Sequence, residues 1–188
     1  MTTAKLRAVL RDLVGELCFS VLGGAPGEAL VLDLGKRQPR ALRLANRQLS
    51  FAQRTFEGTA GLLVECGWAL DGPNGRVVTH LESTLKEGPS PLVVLEGDKV
   101  AKISLPAPGL DPMLVFRSGH TLRIWAHRVD PQGRQDNWAV WSERGTYTVG
   151  PGGRLSGPPQ QKPGDDGDLV SVWRARWRAA GRSLPEEE

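Results

Sequence analysis

Cys66 and the histidines His80, His120 and His127 are the residues of this chain whose chemistry could be nucleophilic. A thiol with an imidazole base would make an acyl-transfer pair, and two imidazoles on one face would make metal ligands. The spacing argues against both. Cys66 falls in the apolar phase of a strand, beside Val64 and Trp68, and burial among apolar groups raises a thiol's pKa and leaves it inert. His120 and His127 are seven apart, an odd separation that puts them on opposite faces of a regular strand. Asp111, Asp130 and Asp136 could form an acid–base pair or a calcium site. Each stands beside a proline or in a glycine-bearing turn, where an aspartate side chain bonds the local backbone. No G-x-S-x-G, G-x-x-x-x-G-K or H-E-x-x-H motif occurs, and GPGGRLSGPP lacks the spacing and strand-to-helix context of a phosphate loop. No catalytic residue, cofactor or metal is therefore expected.

The charge pattern points to binding. Net charge is +3. Lys36, Arg37, Arg40, Arg43, Arg47 and Arg54 stand against the single acid Glu57, so the segment from 35 to 60 carries the whole basic excess. A basic surface suits an acidic protein partner through steering and complementarity. It also suits phosphate, which makes nucleic acid the second reading. The same two readings arise in DLVSVWRARWRAAGR, Asp168 to Arg182. Rings interleaved with guanidinium groups are what single-strand binders use. On a helix, however, Leu169, Val170, Trp173 and Trp177 gather in one arc and Arg174, Arg178 and Arg182 form a separate stripe. Asp168 suits the N-cap and Gly181 the position past the end, so an amphipathic helix over 168–182 is expected. Its tryptophans would dock on the sheet or on a second copy. Trp173 and Trp177 join the six cations as candidate partner-binding residues.

The elements that position these groups read as sheet. With 39% hydrophobic and 24% charged residues among 188, the chain has the composition of a folded domain, and 23 glycines and 14 prolines imply many turns between short strands. LVGELCFSV, EALVLDLG and GLLVECGWAL in the first half rhyme with VLEGDKVAKISL, DPMLVFRSG and HTLRIWAHRV in the second, and Gly15-Glu16 matches Gly97-Asp98. Leu62, Val64, Cys66, Trp68 and Leu70 share one face of a strand, as do Leu122, Ile124 and Ala126. Trp138 and Trp141 lie on opposite faces. Turns are expected at DGPNG and at RSGHT, where Gly119 can supply a positive φ.

The expected fold is thus mainly β (α+β), with two imperfectly repeated antiparallel β-meanders forming one sheet-rich domain, a short N-terminal helix and the C-terminal amphipathic helix. Residues 1–82 form the first half with a basic insertion at 35–60, 83–93 a linker, 94–150 the second half, and 151–167 a Gly/Pro-rich connector. The stretch around Leu49 to Phe56 can form a helical turn over the sheet. The insertion is either a loop that touches a partner or a solvated strap. Asp12 and Glu16 interrupt the apolar run near the N-terminus, and no segment reaches the roughly 18 apolar residues a bilayer needs, so no membrane association and a cytoplasmic location are expected. Cys18 and Cys66 are too few for a disulfide framework.

The motif Gly35-Lys36…Pro39-Arg40, followed by Phe56-Glu57-Gly58 and then Cys66, Trp68 and Leu70, resembles a group of small uncharacterised bacterial proteins. Thr146 to Val149 resembles their late T-Y-T-V, and the likeness covers about Leu13 to Val149. It implies a stand-alone bacterial protein of the kind found among toxin-immunity and defence neighbours, and brings no activity, cofactor or catalytic residue. The expected function is a non-catalytic protein-binding module, an immunity or defence-associated protein. A nucleic-acid accessory protein and an enzyme of unrecognised type are the alternatives.

Overall fold

A computed structural model describes residues 2–23, 29–40, 43–47, 49–81, 90–106, 109–126 and 137–157. The expected C-terminal helix with Trp173 and Trp177, and also His127, Asp130 and Asp136, lie outside the described residues. The chain opens with helix α1 (Thr3–Asp12), then strands β1 (Cys18–Gly23) and β2 (Leu30–Pro39), a single helical turn α2 (Phe51–Thr55), and β3 (Phe56–Val64), β4 (Gly67–Gly72) and β5 (Gly75–Thr79). A 3-10 turn at Pro91–Leu95 leads to β6 (Val100–Ser104), β7 (Met113–Phe116) and β8 (Thr121–Trp125). Strands β9 (Trp138–Ser142), β10 (Gly145–Val149) and β11 (Leu155–Ser156) complete it. The protein is mainly β, as expected.

Two antiparallel sheets result, ordered β1-β2-β3-β9-β10-β11 and β5-β4-β8-β7-β6. One buried cluster unites their inner faces, with Leu30, Leu32, Leu34, Leu62 and Trp138 from the first sheet and Trp68, Leu70, Leu114, Phe116 and Leu122 from the second. Leu6, Val9, Leu10 and Leu13 of the N-terminal segment join it at the i, i+3, i+4, i+7 spacing of an amphipathic helix. At its C-terminal end, Asp12 accepts from Ser142 Oγ at 3.2 Å and Arg144 Nε at 2.6 Å, which ties α1 to the β9–β10 turn.

The structure corrects the expected arrangement in four places. The third strand is not continuous: Leu62, Val64, Cys66, Trp68 and Leu70 all point into the core, but the chain leaves the first sheet after Val64 and enters the second at Gly67. The second half does the same, with β8 in one sheet and β9 in the other. The two halves therefore share both sheets. Each places its three-stranded meander in one sheet and its last hairpin in the other, so β1-β2-β3-β9-β10 mirrors β6-β7-β8-β4-β5. The end of the expected linker is core, because Leu92 and Leu95 of the 3-10 turn are buried. The start of the expected connector is structured too, since Leu155 and Ser156 pair with β10. The expected turns are in place, with Gly75 and Gly119 at φ of 120° and 89°.

Candidate basic-aromatic surface on the first sheet

The basic segment is mostly strand. The ladder between β2 and β3 continues through Arg37–Gly58, Gln38–Glu57 and Pro39–Phe56, so only residues 40–55 leave the sheet, not 35–60. Between Leu34–Ala60 and Arg37–Gly58, Gly35 and Lys36 oppose the single residue Thr59. This is a β-bulge with a glycine at φ 83°, a conformation that costs a side chain strain, and Lys36 N–H is satisfied by Thr59 Oγ1 at 3.1 Å. A bulge bends the strand and sharpens its twist, which sets the direction of the outer ladder. A second bulge, in β1 between Cys18 and Ser20, sets Phe19 apart from the regular pleat.

From Pro39 the chain crosses the outer face of the first sheet as a strap. Its end is α2, started by a capping box: Ser50 Oγ accepts Gln53 N–H, and Gln53 Oε1 accepts Ser50 N–H. Gln53 Nε2 then donates to Val21 O at 3.2 Å, which fixes α2 against β1. The two legs of the strap are joined by Arg40 N–H to Thr55 O and Leu44 N–H to Arg54 O.

Under the strap lies Asp33, an acid in the apolar run Leu30–Leu34 and fully buried. Strand alternation puts it on the outer face, and the strap covers it. Arg40 meets it with Nη2 at 2.6 Å, while Nη1 reaches Glu57 at 3.4 Å and Nε reaches Gln53 O at 3.1 Å. Gly58 N–H donates to the other oxygen of Asp33 at 3.1 Å. Burial pushes the Asp33 carboxyl above its usual pKa; the Arg40 charge and the Gly58 hydrogen bond pull it down but do not cancel the effect. Gly58 also accepts from Trp141 Nε1 at 3.2 Å, so β9, β3, Asp33 and Arg40 form one chain of contacts.

The six cations of the segment thus separate. Arg40 is turned inward, its side chain only 12% exposed, and is committed to three acceptors; it is not the surface residue its sequence context suggests. Arg54 is half-buried, and its Nε makes no hydrogen bond among the described residues. Lys36, Arg37, Arg43 and Arg47 are exposed. Arg37 lies over the Phe19 ring at 5.1 Å and Arg43 over Phe51 at 5.2 Å, and Phe51 itself is 60% exposed. Guanidinium over a ring face is an attractive cation–π arrangement that holds a long side chain in place. Phe19, Phe51, Gln53 and Asp33 escaped the sequence reading. A carboxylate in the middle of an apolar strand, opposite six cations, was the available signal.

The other candidate chemistry stays local. Burial pushes both thiols, Cys18 and Cys66, up to about 12. Ser118 Oγ meets His120 Nδ1 at 2.7 Å, and Asp98 accepts Ser118 N–H at 3.1 Å. Slight burial pushes Asp98 up, but bonds from Ser118 and from Lys99 N–H, with His120 nearby, outweigh it and hold the carboxyl below its usual range. In a nucleophilic triad the histidine stands between serine and aspartate; here the serine does, which is the wiring of a turn. Asp111 likewise bonds backbone, accepting Ala126 N–H at 2.8 Å. Among the described residues no cluster of three His, Cys, Asp or Glu side chains could hold a metal, and no helix is long and apolar enough to cross a membrane. No family model matches the chain, and neither a curated protein nor a solved structure resembles it at a significant level.

Proposed function

We propose that this protein is a non-catalytic protein-binding module of the immunity or defence-associated kind, and that it binds the acidic surface of a partner protein through Lys36, Arg37, Arg43 and Arg47. The observation that carries this reading is the pair of exposed arginines held over ring faces, Arg37 of β2 over Phe19 of β1 and Arg43 over Phe51 on the anchored strap. Four solvated cations alone would describe an ordinary surface. Guanidinium groups already held in place lose less side-chain entropy on binding, and their forked donors match carboxylates. Nucleic acid is the weaker reading, because base stacking needs an open ring and each of these rings has a face covered by an arginine of the same chain.

The test uses the full chain at low ionic strength with two probes of equal charge, a fluorescent octaglutamate peptide with blocked ends and a nonathymidylate without terminal phosphate. Octaglutamate binding that weakens at least tenfold in Arg37→Ala/Arg43→Ala supports the reading. Tighter binding of the oligonucleotide, or no effect of the double substitution, overturns it.

A further inference from the structure

Arg40 has the composition of a contact residue and the geometry of a support. Its guanidinium uses Nε, Nη1 and Nη2 on Gln53 O, Glu57 and Asp33. These acceptors lie on α2, the end of the strap, and on β3 and β2, the two strands it joins. We propose that Arg40 is a positioning residue, and that its pair with Asp33 fixes the strap in the single position from which Arg43 and Phe51 meet an acidic partner. The proposal rests on the binding reading above and names the device that organises that surface.

Several features support it. Removing a carboxylate fully from water is costly, and a buried ion pair returns little net stability, so stability alone is a poor reason for Asp33 to stand in the run Leu30–Leu34. What a buried pair of fixed geometry does well is exclude alternative registers. The strap also has little else to hold it. The side chains of α2 include none that is buried, and α2 is held by its capping box and by Gln53 on Val21 O. The charged and titratable groups tied to Asp33 are Arg40 from the strap, which also meets Glu57 of β3, and Cys18 from β1, and of these Arg40 is in hydrogen-bond contact with it. A lysine at position 40 also carries three donors, but on a single nitrogen, and cannot span acceptors that three separate guanidinium nitrogens reach.

The experiment compares Arg40→Ala, Arg40→Lys and Asp33→Asn with the contact variant Arg43→Ala. Two readouts are used, amide hydrogen exchange and the salt dependence of octaglutamate binding. In Arg40→Ala and Asp33→Asn the amides of residues 40 and 44, which join the two legs of the strap, should exchange at least tenfold faster, while Val140 and Leu62 in the ladder change less. Octaglutamate affinity should fall about tenfold with the slope of log Kd against log salt unchanged, because no contacting charge is lost. Arg43→Ala should lower both affinity and slope. Arg40→Lys should behave as Arg40→Ala.

Unchanged strap exchange overturns the proposal whether or not any probe binds. A fall in salt slope for Arg40→Ala equal to that of Arg43→Ala also overturns it, by making Arg40 a contact residue. Faster strap exchange with no binding of octaglutamate by the wild type upholds the positioning role and rejects the acidic-partner reading, which separates the two.

Discussion

Gly61→Ala tests the bench on which the strap rests. Gly61 pairs directly with Trp141 across the β3–β9 ladder, and a Cβ at that position would stand 2.1 Å from Trp141 Cζ2 and 2.5 Å from Leu32 O. The ring must therefore leave. Its departure re-exposes on the order of 100 Å² of apolar surface, about 2.5 kcal/mol at ~25 cal/mol per Å². The hydrogen bond from Trp141 Nε1 to Gly58 O adds about 1 kcal/mol. The backbone shift around Leu32 O adds about 1 kcal/mol more. The alanine restricts the unfolded chain and returns about 0.7 kcal/mol. The expected cost is roughly 3–4 kcal/mol, and Trp141→Ala should cost about the same, because it loses the same ring and bond. The double variant should then cost only about 4 kcal/mol, since the ring can be lost only once. Urea denaturation of the four proteins, followed by far-UV circular dichroism, measures the cycle. Additivity within about 0.5 kcal/mol would show that the two residues do not share one contact, and the reasoning would be refuted.

Two further outcomes are expected. Burial raises the pKa of Asp33 in the folded state above its unfolded value, so the stability linked to this group is fully present below about 3.9 and is lost as pH rises through the raised folded value. Asp33→Asn, which cannot ionise, should therefore gain on the wild type in denaturation curves as pH rises above about 4; a wild type that gains on the variant would contradict this sign. Cys18 and Cys66, buried thiols with pKa of about 12, should resist iodoacetamide in the native protein at pH 8 and both react in urea, as counted by mass spectrometry.

Local patterns carried much of this architecture. The alternation of Leu62, Val64, Cys66, Trp68 and Leu70 identified a buried face, and glycine placed the turns at Gly75 and Gly119. The passage from one sheet to the other between Val64 and Gly67 was not legible, because the alternation runs through it unbroken; only the distant partners, β9 for β3 and β8 for β4, reveal it. The same limit applied to the surface. Arg37, Arg40 and Arg43 are equivalent as letters, and what separates them is Asp33, which faces Arg40 only once β2, β3 and the strap are folded together. Local sequence encodes which side of a strand a residue occupies, whereas the identity of its partner is set by contacts made far along the chain.

The exchange of hairpins between the two sheets has a consequence for assembly. Without its own β9–β10 hairpin, β3 would present an unpaired edge, and without β4–β5, so would β8. A second copy of the chain carries the same hairpins with the same registers. Donating one of them across molecules would recreate every ladder of the monomer in a reciprocal dimer, with no new interface to design. The topology that makes each half depend on the other inside one molecule is also a route by which two molecules can come to depend on each other.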